Sequence, residues 1–130
     1  MNERVKTIRL LTYGPGKLFE ITSHIACQAK EIKNGVIHVF SKGSTGALVI
    51  IPKDHVENFE RSLWDLLPVY GWEHPGNAYA HLRSTLIGTS LLILVKNGEL
   101  LLPENHGVYF IENQPANRRE RKIILITREE

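Results

Sequence analysis

The stretch Leu91-Leu-Ile-Leu-Val95, Lys96-Asn97-Gly98, Glu99-Leu-Leu-Leu102 decides the fold class. Asn-Gly between two apolar runs is the strongest short-range hairpin signal, because both residues tolerate the positive φ that a two-residue type I′ turn demands. The sequence beyond it keeps the same character. Val108 to Ile111 and Ile123 to Ile126 are further β-branched or aromatic runs, separated by the polar stretch Glu112 to Lys122. A chain that ends in consecutive strands builds an antiparallel sheet more readily than a doubly wound parallel one.

Upstream, strands and helices alternate. Thr7 to Leu11 reads as a strand closed by the turn formers Gly14, Pro15 and Gly16. Leu18, Ile21, Ile25, Ala29 and Ile32 then recur at helical spacing, which predicts an amphipathic helix over that span with Cys27 among its buried residues. Val36 to Phe40 is a strand that sets His38 on one face with Val36 and Phe40. Ala47 to Ile51 is another, stopped by Pro52. Asp54 with Glu57 resembles a capping box for a helix whose stripe is Val56, Phe59, Leu63, Leu66 and Leu67. A third helix runs from the cap Asn77 to about Gly88, with Ala78, Leu82 and Leu86 on its apolar face. The expectation is an α+β domain spanning residues 1–130, with a mainly antiparallel sheet of six or seven strands and one helix-covered face.

Composition narrows the function class. Hydrophobic residues at 42% and charged residues at 23% are ordinary for a globular chain, and no run reaches the roughly 20 apolar residues of a spanning helix. A formal charge of +2 is too small an excess to imply a polyanion partner, and no aromatic residues interleave the basic run Arg118 to Lys122, which argues against nucleic acid. The amino terminus lacks the apolar core of a secretory signal, so the expected location is cytoplasmic.

Polar chemistry gathers in three places. Asn77, His81 and Ser84 or Thr85 share one face at a helix start, where unpaired backbone N–H groups favour an anion and Arg83 could support it. The alternative reading is a plain helix cap beside a satisfied histidine. Gly43, Ser44 and Thr45, followed by Gly46, offer hydroxyls and free amides that could closely approach the phosphate or carboxylate of a phosphorylated or carboxylated small molecule, but no GK[ST] follows, so they make no P-loop; a bulge or tight bend is the competing reading. Arg119 and Arg121 project from one strand face as a pair suited to anion contacts, or stand as a solvated strand entrance. No Ser-His-Asp order, carboxylate pair, CxxC or HExxH can be drawn.

Gly43-Ser-Thr-Gly-Ala-Leu48, Gly76-Asn-Ala-Tyr-Ala-His-Leu-Arg-Ser-Thr-Leu-Ile-Gly-Thr-Ser-Leu91, Asn97-Gly-Glu-Leu-Leu-Leu102 and Arg119-Glu-Arg121, in that order, resemble the YjbQ family across nearly the whole chain. The resemblance implies a compact α+β fold assembled as a homotrimer, with sites on histidine-bearing loops near subunit boundaries. It also implies a weak thiamine-phosphate synthase activity, joining an aminopyrimidine diphosphate to a thiazole phosphate. His81 and Asn77 match the family's polar helix start as catalytic candidates. His74 matches a histidine just upstream, and with His81 it is the candidate ligand pair for a divalent metal. Arg119 and Arg121 match a late arginine pair suited to phosphate. The chain departs from the family at three places: Gly43-Ser-Thr-Gly46 replaces the common His-Thr-Thr-Ala, Pro52 replaces an acidic residue, and Pro103-Glu-Asn-His106 replaces Gly-Thr-Trp-Gln. Those departures define a second expectation, a non-catalytic trimeric ligand-binding or assembly protein, and raise His106 as a replacement nitrogen ligand for the one lost at position 43.

Overall fold

Asn97 and Gly98 adopt φ of 53° and 76°, the positive values a type I′ turn requires, and they close the hairpin between β5 (Ser90–Lys96) and the short β6 (Glu99–Leu100). The computed structural model describes residues 2–66 and 78–130. The remaining elements, in chain order, are β1 (Asn2–Gly14), β2 (Lys17–Glu20), α1 (Thr22–Ala29), β3 (Asn34–Ser41), β4 (Gly46–Pro52), α2 (Val56–Leu66), α3 (Ala78–Ile87), β7 (His106–Glu112) and β8 (Ala116–Glu129).

Every strand pair among the described residues is antiparallel. The described residues form eight strands rather than the six or seven expected, and these divide into two sheets, one ordered β1-β8-β3-β5-β6 and the other β2-β7-β4. The additional strand is β2. Leu18 begins the helical spacing in the sequence, yet it pairs with Ile111 in the sheet while the helix starts only at Thr22. The polar stretch after Glu112 was expected to be a connection, but from Ala116 onward it is strand, because β8 pairs with β1 all the way to Gly14.

The two sheets face one another. Alternation along the strands sends Ile8, Ile37, Val39, Ile93, Val95, Ile123 and Leu125 inward from the larger sheet to meet Leu48, Val108 and Phe110 from the smaller one. Ile25 and Ala29 on α1 complete this core. Cys27 does not join it: the apolar stripe of α1 leaves position 27 on the outer side, and the thiol is exposed.

Helices α2 and α3 cover the outer face of the smaller sheet, where Ala47, Ile111 and Leu63 are buried with Phe59, Leu18, Val49 and Ile87 against them. The buried side of α3 differs from the apolar face read in sequence. Leu86 is 62% exposed, whereas Tyr79, Ala80, Arg83 and Ser84 are buried. Asp54 also does other work than capping, accepting a hydrogen bond from the Asn105 amide at 3.0 Å. The outer face of the larger sheet carries no helix among the described residues, and Val5, Phe40, Leu92 and Leu94 stand exposed there.

Candidate functional site

Phe110, Glu112 and Arg121 explain how a polar site forms at one end of an apolar sandwich. The run Val108-Tyr-Phe-Ile-Glu112 alternates so that Glu112 falls on the same face as Val108 and Phe110, which places a carboxylate at the rim of the core with no exposed surface. An ionised group there must be paired. Arg121, on β8 of the facing sheet, supplies the partner. Its Nε donates to Glu112 Oε1 at 2.7 Å and its Nη2 donates to Glu112 Oε2, forming a forked pair.

Three further hydrogen bonds tie this pair into the sheets. The Thr12 hydroxyl donates to Glu112 Oε1 at 2.6 Å, the Gln114 amide donates to Oε2 at 3.1 Å, and Arg121 Nη2 also donates to Thr45 Oγ1 at 2.7 Å. The Thr45 hydroxyl in turn donates to Gln114 Oε1 at 3.0 Å. Burial pushes the Glu112 carboxyl up, but the hydrogen bonds from Arg121 and Thr12, the Arg121 charge and the Gln114 amide outweigh it and hold the group below the usual carboxylate range. The Arg121 guanidinium also lies 5.6 Å over the Phe110 ring, so the apolar core supports its inner side.

Above this network is an open cavity of about 420 Å³, lined by the β3–β4 turn, Gln114, the first half of β8 and His81 from α3. It gathers Gly43, Ser44, Thr45, His81, Arg119 and Arg121, residues drawn from all three polar clusters of the sequence. Lys42, Glu120 and Lys122 complete the charged lining. Among the lining residues Lys42, Arg119, Arg121 and Lys122 stand against Glu120, and Glu112 offsets one cation from behind, which leaves these residues an excess of two positive charges.

Other expected site residues lie elsewhere. Arg83 is buried on α3, where its guanidinium stacks on Tyr79 at 5.2 Å and reaches the Leu63 carbonyl near the end of α2 at 3.5 Å; burial pulls its pKa down, countered by Tyr79. Arg83 therefore serves helix packing and is not part of the described cavity lining. His106 starts β7 while Glu112 ends it, which sets them roughly 20 Å apart along the strand. Its Nδ1 lies 2.8 Å from the Glu104 carbonyl oxygen, so His106 does not replace a ligand near Gly43. His74 and Asn77 lie outside the described residues. Glu112 and Thr12 were absent from the sequence expectations, although a carboxylate in register with Val108 and Phe110 was a usable signal, because a buried charge requires a partner.

The fold and cavity define a class: a two-sheet, helix-covered α+β protein with a cationic pocket beside a helix histidine. Residues 6–130 match the family described as "UPF0047 protein YjbQ-like", and the chain belongs to that family. A UPF0047 protein of Methanothermobacter thermautotrophicus is 34% identical over 114 residues, covering 81% of this chain and 80% of that protein. The UPF0047 protein YugU of Bacillus subtilis is 28% identical over 123 residues, covering 83% and 88%. Among solved structures, an uncharacterised YjbQ/UPF0047 family protein of Clostridium acetobutylicum superimposes with a TM-score of 0.85 at 26% identity, covering 95% of this chain and 99% of that one. A YbjQ-like protein of unknown function from Sulfolobus solfataricus gives a TM-score of 0.88 over 99% of both chains at 24% identity, a likeness of fold.

Proposed function

We propose that this protein binds a phosphorylated small molecule in the cavity between the β3–β4 turn and β8, and that it is a weak thiamine-phosphate synthase-like transferase working in the cytoplasm. The observation that carries the reading is the excess of two positive charges around a 420 Å³ cavity that also holds His81. In such a transfer the thiazole nitrogen attacks the methylene carbon of the aminopyrimidine diphosphate; a C–N bond forms, a C–O bond breaks and pyrophosphate leaves. Arg119 and Lys42 stabilise the negative charge that gathers on the leaving group, with His81 beside it in the same lining.

The described residues alone do not fit a divalent metal. His81 is the imidazole of the described lining, Glu112 is committed to Arg121, and no group of three or more His, Cys, Asp or Glu converges among the described residues. A metal therefore depends on His74. Metal analysis of purified protein, with His81→Ala as comparison, tests that part of the proposal. Formation of thiamine phosphate that is abolished in His81→Ala supports the transferase; absence of product with intact binding of pyrophosphate favours the non-catalytic ligand-binding reading.

Both readings leave room for assembly through the outer face of the larger sheet, which carries no helix among the described residues. Val5 and Leu92 are 65% and 64% exposed, a surface that suits contact with further copies of the chain, and a homotrimer is the assembly proposed. Among the described residues no helix is long and apolar enough to cross a membrane.

A further inference from the structure

Arg121 has five N–H donors, and the described hydrogen bonds account for three: Nε and one Nη2 hydrogen serve Glu112, and the second Nη2 hydrogen serves Thr45. The edge of the guanidinium that normally grips a carboxylate in parallel is thus already occupied by Glu112. The neighbouring edge is half occupied by Thr45. What remains toward the cavity is Nη1, and the chain passes it at Gly43. A Cβ on Gly43 would sit 3.4 Å from that nitrogen, in ordinary van der Waals contact, where an acceptor oxygen would otherwise approach; φ at this residue is +128°, a conformation unfavourable to a side chain.

We propose that Arg121 Nη1, left open by the missing side chain at Gly43, is the floor contact for a terminal phosphate monoester, and that the pocket selects this group over a carboxylate. The inference rests on the anion-binding reading of the same cavity. A planar carboxylate gains most from a two-point fork, which Glu112 and Thr45 deny it. A tetrahedral phosphoryl group accepts a one-point contact from Nη1 while its other oxygens face the rim, where Lys42 and Arg119, which shares the Arg121 face of β8, line the cavity. Glu112 and Thr12 are positioning residues: they hold the guanidinium edge closed and touch no ligand.

Titration calorimetry with phenyl phosphate and with malonate, each on wild type, Gly43→Ala and Glu112→Gln, tests the proposal. Wild type is expected to bind phenyl phosphate at least tenfold tighter than malonate. Gly43→Ala is expected to lose at least tenfold for phenyl phosphate with little change for malonate. Glu112→Gln, which frees part of the fork, narrows the preference. Equal wild-type affinity for the two anions, or undiminished phosphate binding by a folded Gly43→Ala, overturns the inference and leaves an anion pocket. Failure of wild type to bind either anion overturns the reading of the pocket itself. Should a variant fail to fold, nitrogen-15 NMR of the arginine side chains in wild type decides: phenyl phosphate shifts the Arg121 Nη1 resonance and leaves Nε in place, and binding without that shift overturns the inference.

Discussion

Arg121 and Glu112 meet in a forked ion pair that is almost wholly enclosed, with side-chain exposures of 4% and 0%. The pair joins β8 to the end of β7 and is braced by Thr12 on β1 and Thr45 before β4, so elements of both sheets converge on one carboxylate. Removing one partner of such a pair leaves an uncompensated buried charge.

Glu112→Ala is accordingly expected to lower unfolding stability by about 3–5 kcal/mol in urea denaturation at pH 7. The folded-state pKa of Glu112 lies below its ordinary value, so the unfolded chain binds more protons in acid. The stabilisation is fully present above the usual carboxylate range near pH ~4.3 and is lost as pH falls through the depressed folded value. Urea midpoints of wild type and variant are expected to converge as pH is lowered below about 4. A gap that stays constant in acid would contradict the assignment.

Phe110 is fully buried between the sheets and supports Arg121. Phe110→Ala is expected to cost about 3–5 kcal/mol, from lost transfer energy and the cavity left behind. Phe110→Leu keeps most of the volume, and denaturant unfolding of the two variants should separate them by more than half of that cost.

Leu92 and Leu94 project from β5 on the outer face of the larger sheet, which carries no helix among the described residues, at 64% and 52% exposure. If copies of the chain assemble as the proposed trimer through this face, wild type should sediment as a trimer and Leu92→Glu as a monomer in analytical ultracentrifugation while circular dichroism stays native. A charge on an exposed position of the isolated chain otherwise changes stability by only about 0.5 kcal/mol. A trimer that survives the substitution places the interface elsewhere.

Cys27 is expected to react with a thiol reagent such as DTNB in the native protein, without denaturant, because it lies on the outer side of α1. Release of one equivalent of chromophore per chain under native conditions checks this. Protection until unfolding would mean that another surface covers the helix.

The sequence by itself determined what neighbouring residues control. The Asn97-Gly98 hairpin, the antiparallel run that ends the chain, and the apolar stripe through Ile21, Ile25 and Ala29 follow from turn chemistry and periodicity, which act over a few residues. The three polar clusters were also visible as clusters, and the cavity contains Gly43 to Thr45, His81, Arg119 and Arg121 from them. Tertiary structure decided everything that joins distant segments. Thr45 and Arg121 are 76 residues apart in sequence, and they touch because the two sheets bring the β3–β4 turn beside β8. The same packing buried the Arg83 side chain in the helix layer and placed Cys27 outside the core, the latter against its reading in sequence. Local patterning fixes which face a residue shares with its neighbours, but whether that face meets apolar core, an opposite charge or solvent depends on what the rest of the chain packs against it.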